Sequence, residues 1–243
     1  MLKDLFNKKE EDTKDLEKKV LICIVIIVIG IMLSFIGTGN KTNNDKKKTE
    51  EITVKKEDIV SKLDLLKDNY NIYVYKNNGK EDKKVEISTY KDITIYTGNA
   101  LNMEGYVQYK DKYYVVGKDE FTLTKKDKIK NEIPEYSYNF LLLKNITNYC
   151  KFIDNYNCNI NVSNYLDEYN KLYNTEYKVD EDKTMTIKYK YDKKMVTRID
   201  YDYSEINKII NKKDEVIKYT IIINSINSND YSDQIKYFSE KKN

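Results

Sequence analysis

The chain has 243 residues, 40% hydrophobic and 12% aromatic, with 43 basic and 40 acidic side chains and a net charge of +3. Enough apolar side chain is present to bury a core, which excludes a disordered chain, and the interleaved charges, with Arg198 the only arginine, argue against a phosphate-tracking nucleic-acid binder. The absence of histidine removes the commonest general base and metal ligand, so Ser-His and Cys-His catalysis are excluded.

Residues 1–19 read as a short cytoplasmic arm. The next stretch, "VLICIVIIVIGIMLSFIG" at 20–37, carries no charge, and thirteen of its eighteen residues are Val, Leu, Ile or Phe. Insertion is favoured by about 4 to 8 kcal/mol on a biological membrane scale, and the helix length of roughly 27 Å spans the hydrocarbon layer. A core helix would show a polar stripe, and this run has none. The following "SFIGTGN" lacks an A-x-A cleavage pattern, and Cys23 lies too early for a lipoprotein signal. The reading is a single-pass signal anchor over 20–38. Lys18 and Lys19 abut the span while "TGN" separates it from Lys41, which favours a cytoplasmic N-terminus and a C-terminal domain outside the cell membrane.

Residues 39–54 are polar and aperiodic, a flexible linker. A domain is expected over 55–226 and a polar tail over 227–243. In "KKEDIVSKLDLLKDN", Ile59, Leu63 and Leu66 recur on one helical face. Six strands are predicted next, "NIYVYK", "KVEISTYK", "DITIYT", "GYVQYK", "YYVVG" and "EFTLTKK", separated by turn signals. Beyond an irregular stretch around Pro134, "YNFLLLKNITNYC" and "NYLDEYNKLYN" read as helices, the second with Tyr165, Tyr169, Leu172 and Tyr173 on adjoining faces. "TMTIKYKY" and the strand after it form a hairpin around Asp192, Lys193 and Lys194, with Tyr191 expected opposite Met195 and Ile187 opposite Ile199. A short helix at "YSEINKIIN" and a strand at "EVIKYTIIINSIN" close the domain.

The fold class expected is α+β: one N-terminal transmembrane helix, then a mostly antiparallel, curved sheet forming an incomplete barrel with helices on one face. In its order of elements, residues 55–226 resemble the LolA/RseB-like envelope domains, whose incomplete barrel is closed by helices and binds lipids, lipoprotein acyl chains or a signalling partner. No motif residues carry the resemblance, so it transfers no functional positions. A closed barrel or cystatin-like sheets would give the same order.

Chemistry-bearing patterns are few, and no catalytic, cofactor-binding or metal-binding residue is predicted. Asp180, Glu181 and Asp182 read as a polar turn lacking the calcium-loop glycine. Asp200 and Asp202 share a strand face with Lys188 and Arg198, an ion-pair surface. Cys150 and Cys158 suit either a disulfide, in keeping with an oxidising compartment, or two buried thiols. In "GYVQYKDKYYVVG" at 105–117, an Asp111-Lys112 turn puts Tyr109 opposite Tyr114 in the core and leaves Tyr106 and Tyr113 as the rings available for surface contact.

Three functions are compatible with this. The first is a non-catalytic, membrane-anchored extracytoplasmic domain that binds an apolar ligand (lipid or acyl chain) or an envelope protein partner. The second is a structural or assembly protein of a membrane complex. The third is a cell-envelope enzyme using carboxylates or a Ser-Lys pair.

Overall fold

The computed structural model describes residues 55–117, 121–126, 132, 134–180, 182–227, 236 and 240. The predicted arm, span and linker, and nearly all of the tail, lie outside them. No helix among the described residues is long and apolar enough to cross a membrane.

The six predicted strands form: β1 (Asn69–Asn77), β2 (Asp82–Tyr90), β3 (Ile93–Thr97), β4 (Gly105–Tyr109), β5 (Lys112–Val116) and β6 (Phe121–Thr124). Ahead of them, α1 covers residues 55–63 and, with the turn after it, buries Ile59, Leu63 and Leu66. A 3₁₀ turn, Glu135–Ser137, leads into α2 (Phe140–Thr147). The Asn139 side chain caps α2 by accepting from the Leu142 N–H at 3.0 Å, which satisfies one of the orphan donors of a helix start. Then come β7 (Lys151–Phe152), β8 (Asn157–Asn161), α3 (Val162–Tyr173), β9 (Thr184–Tyr191), β10 (Val196–Asp202), α4 (Ser204–Asn211) and β11 (Lys218–Ile226).

All strand pairs are antiparallel, in one open sheet ordered β6-β5-β4-β3-β2-β1-β11-β10-β9-β8-β7. The chain meanders outward from β1 to one edge, crosses through α2 to the other edge, and returns inward until β11 pairs with β1. With β6 and β7 as edges the sheet is open, not a closed barrel.

One face of this sheet is apolar from β5 across to β7. Cross-strand partners Ile72, Ile87, Tyr96, Tyr106 and Val115 run along the β1–β5 side, and Val74, Ile221, Ile199 and Tyr189 run toward β9. These side chains form a single core with Ile59 and Leu63 of α1, Phe140, Leu142, Leu143 and Ile146 of α2, Tyr165, Leu166 and Tyr169 of α3, and Ile206 of α4. The pattern follows from the two-residue repeat of strands, which sends alternate side chains to one side.

Much of the filling is tyrosine. Tyr203 lies 5.5 Å from Tyr219 and 6.1 Å from Tyr165, ring centre to ring centre, in edge-to-face contacts, and Tyr136 stacks on it at 5.1 Å. Such pairs add roughly 0.5 to 1.5 kcal/mol beyond area burial. The polar ends find partners where they can: the Tyr201 hydroxyl donates to the Ser137 carbonyl at 2.6 Å, and the Tyr189 and Thr147 hydroxyls bond at 2.7 Å. The Tyr165 hydroxyl is buried with no hydrogen-bond partner among the described residues.

Three expectations need correction. The β4–β5 turn is Lys110-Asp111, with Lys110 at φ +55° and Tyr109 opposite Lys112, not Tyr114. The β9–β10 loop is one residue longer than expected, so Tyr191 pairs with Val196 and Ile199 with Tyr189, with a bulge between Val196 and Arg198. Both shifts move the pairing by two positions in total, which leaves the same residues sharing a face. Third, the predicted sequence of helices hides the β7–β8 hairpin between α2 and α3. Its two-residue strand and Asn-rich "NCNIN" carry almost no β-propensity signal.

Candidate functional site

The end of α1, the start of β1 and the entry to α2 meet at a surface cleft of about 390 Å³. Its floor is apolar: Leu63, Leu66, Tyr138 and Phe140 line it and are all buried. Tyr70 meets Phe140 edge-to-face at 5.2 Å and forms one wall. Leu141 stands at the lip, 53% exposed, because α2 turns Leu142 and Leu143 inward and leaves Leu141 on its outer side.

Charge is confined to the rim. Lys144 of α2 pairs with Asp64 just past α1, tying the two elements together. Exposed Lys67 lies beside them, and Glu135 pairs with Lys126 at 3.6 Å. Asn139, besides capping α2, donates from its amide nitrogen to the Tyr173 hydroxyl at 3.0 Å, which fixes the mouth of the cleft against α3.

The phenols in and behind this cleft stay protonated. Burial raises Tyr70, although a bond to Thr89 partly offsets it, and raises Tyr138 well above the usual phenol value; Tyr138 sits 3.5 Å from the Tyr96 hydroxyl. The cleft therefore offers neutral rings and aliphatic carbon, with Lys67, Glu135 and the Lys144–Asp64 pair at the edge.

Elsewhere, a groove of about 400 Å³ on the opposite sheet face is lined by Tyr75, Asn77, Asp82, Arg198, Lys218, Thr220 and Ile222. A smaller one, about 220 Å³, holds Lys76, whose amine burial lowers from its ordinary value.

Tyr106 and Tyr113 do not face solvent. They are 1% and 7% exposed and belong to the main core; the Tyr106 hydroxyl donates to Glu132 at 3.2 Å, and Lys126 lies 5.8 Å from the Tyr113 ring centre. Tyr109 and Tyr114, expected inside, pack instead with Ile93, Ile95 and Val107 in a small second cluster on the other face. Both faces of β3–β5 are apolar, so alternation alone could not say which one the helices cover. The decision comes from β2, where Val85 and Ile87 extend the helix-covered face into Tyr96 and Tyr106.

Cys150 and Cys158 form a disulfide with Cα atoms 5.4 Å apart, bracketing the β7–β8 turn. The paired carboxylates are committed to structure. Arg198 donates to both oxygens of Asp200 at 2.7 Å and Thr220 adds a third bond. Burial raises the Asp200 carboxyl, but these donors outweigh it and hold it below the usual range. Asp202 accepts from the Ser204 N–H and hydroxyl at the start of α4. Among the described residues, no group of His, Cys, Asp and Glu is arranged to hold a metal ion.

The cleft itself was missed in the sequence. Its residues read as helix-stripe and core filler, and Asn139 before "FLLLK" was the single local signal that a helix end and hence a concave corner lay there. Comparison with protein-family models, curated proteins and solved structures finds no match to this chain.

Proposed function

We propose that the chain is a membrane-anchored, extracytoplasmic, non-catalytic domain that binds an apolar segment of an envelope protein partner in the α1–α2 cleft. The observation that carries this reading is the cleft's composition: a buried apolar floor, an exposed Leu141 lip and a charged rim on Lys67 and the Lys144–Asp64 pair. A site for a free acyl chain normally encloses most of its ligand, whereas this cleft is partly open to solvent, as a groove for a protein segment is. The anchor rests on the uncharged run at 20–38, and the side of the membrane on the lysine asymmetry and the Cys150–Cys158 bond, which suits an oxidising compartment.

The same reading includes a sheet curled part of the way around its helices. Eleven strands rotated by roughly 20° from neighbour to neighbour accumulate about 200° of twist, and open sheets of that width curl. The LolA/RseB-like resemblance is of this kind. An enzyme is disfavoured by the structural commitments of Asp200 and Asp202. The Ser61, Ser88, Ser137 and Ser204 hydroxyls are likewise engaged with carbonyl, amide or carboxylate groups, not a lysine amine.

The test is a photo-crosslinking amino acid at Leu141 in the full chain, irradiated in living cells. The reading expects one discrete protein adduct that is absent with the probe at Val216, which is also exposed. Adducts of lipid mass alone would replace the protein partner by an acyl ligand. No adduct at Leu141, or equal adducts at both positions, would overturn the site.

A further inference from the structure

The disulfide-closed turn between β7 and β8 has an unusual surface for its size. Within residues 149–156, Tyr149, Ile153 and Tyr156 are 40%, 57% and 48% exposed. The tip is rigid. Ile153 N–H donates to the Asn157 carbonyl at 2.9 Å, and Asp154 accepts from the Tyr156 and Asn157 N–H groups, both at 2.7 Å. Tyr191 braces it from β9, donating to the Asn155 carbonyl at 3.2 Å with its ring 6.1 Å from that of Tyr156. The exposure of Ile153 and Tyr156 is thus held in place.

Two further observations bear on what meets it. Lysines surround the tip: Lys151 is in the turn, Lys188 pairs across strands with Asn157, Lys55 donates to the Asn155 side chain, and Lys56 donates to the Asn148 carbonyl. Asp154 is the acid within the turn, and its carboxylate is occupied by the bonds above; the neighbouring acids are Glu57 and Asp58 on the first turn of α1, Asp58 being paired with Lys62, and Glu168, which accepts from the Tyr149 hydroxyl and pairs with Lys171. The second observation is where the chain enters. Lys55 and Lys56, which touch this turn, are the first described residues, and only the sixteen-residue stretch 39–54 separates them from the predicted span. Sixteen residues reach at most roughly 58 Å end to end.

We propose that the Cys150–Cys158 turn is a membrane-interface contact, with Ile153 and Tyr156 seated in the headgroup region of an anionic phospholipid surface and Lys55, Lys56, Lys151 and Lys188 facing the lipid phosphates. This rests on the anchored reading above. Tyrosine and an aliphatic side chain beside lysines are the chemistry of the bilayer interface, where amphipathic rings and ammonium groups both find partners. Each lysine near an anionic surface raises the docked population about five-fold. The contact would hold the domain in one orientation and fix the direction in which the α1–α2 cleft opens.

The chain contains no tryptophan, so a single introduced one is a clean reporter. The full chain is reconstituted in vesicles of phosphatidylcholine with about a third phosphatidylglycerol, with and without brominated acyl chains, carrying Ile153→Trp, Tyr156→Trp, Val216→Trp or Ile29→Trp. Val216 precedes β11 at the opposite end of the strands from the turn. The expected result is a blue-shifted emission quenched by bromolipid at 153 and 156, little change at 216 and strong quenching at 29. Lys151→Gln should lower the docked-to-undocked ratio about five-fold on anionic vesicles and leave pure phosphatidylcholine unaffected. Quenching at 29 without any at 153 and 156 overturns the contact and leaves the anchor standing. No quenching at 29 overturns the anchor, and equal quenching at 153 and 216 overturns the claim that this turn is the contact.

Discussion

Replacing Tyr165 by phenylalanine should stabilise the domain, whereas the same change at Tyr201 should weaken it. Both rings are deep in the tyrosine core, at 1% and 4% exposure, and both substitutions delete one oxygen. They differ in what that oxygen does. The Tyr201 hydroxyl donates to the Ser137 carbonyl at 2.6 Å, so its loss removes a buried bond and leaves the acceptor short, a cost of about 1 to 2 kcal/mol. The Tyr165 hydroxyl is buried with no partner among the described residues, so its removal takes away a desolvation penalty, a gain of about 1 kcal/mol. The two variants should differ by roughly 2 to 3 kcal/mol in urea unfolding of the full chain in mild detergent, followed by near-ultraviolet circular dichroism. If Tyr165→Phe loses as much as Tyr201→Phe, the Tyr165 hydroxyl has a bonding partner, and the view of these rings as dry packing around α3 and β10 fails.

Gly98 sits at φ +136°, and an added Cβ would lie 2.3 Å from the Lys84 carbonyl oxygen, so Gly98→Ala should cost more than about 2 kcal/mol; Gly79→Ala, at φ +82° but with open space, should cost about 1 kcal/mol, and thermal melts separate the two. Replacing both Cys150 and Cys158 by alanine opens a nine-residue loop and should lower stability by about 2.5 kcal/mol on the chain-entropy estimate, read from urea midpoints. The core phenols are raised by burial, Tyr173 to about 12, so their contribution is complete below the unfolded phenol value near 10 and is lost as pH rises through the folded values. The core phenols should therefore add to the absorbance at 295 nm in a cooperative step that coincides with unfolding above pH 10. For Asp200 the sign reverses: its depressed carboxyl stabilises above the unfolded value near 3.9 and the effect disappears as pH falls through the folded value. Asp200→Asn should accordingly flatten the acid limb of stability below pH 4.

The strands were legible because β1–β5 and β9–β11 are rich in β-branched and aromatic residues, with clear alternation in β2 and β9, and α1 because Ile59, Leu63 and Leu66 repeat at helical spacing. Register was less so. A left-handed Lys110 replaces the more common Asn or Gly at a hairpin turn, and nothing in "KDK" distinguishes Lys110-Asp111 from Asp111-Lys112. The fates of Tyr106 and Tyr109 depend on which side the helices cover, a long-range fact that local alternation does not contain. The cleft is of the same kind. Leu63, Tyr70 and Phe140 become neighbours only when the chain returns from β6, and Lys144 meets Asp64 across eighty positions of sequence. The ion pair at Asp200 was readable in outline, since a two-residue strand spacing already set Arg198 beside it on one face.

Limited trypsin treatment of intact cells carrying an N-terminal tag tests the anchored, outward-facing domain on which the binding and interface proposals both stand. The account predicts cutting at Lys41, Lys46, Lys47 or Lys48, with release of the domain into the medium and retention of a protected N-terminal fragment in the membrane. A full-length chain that resists trypsin in sealed cells and is cut at those lysines only after permeabilisation would contradict it.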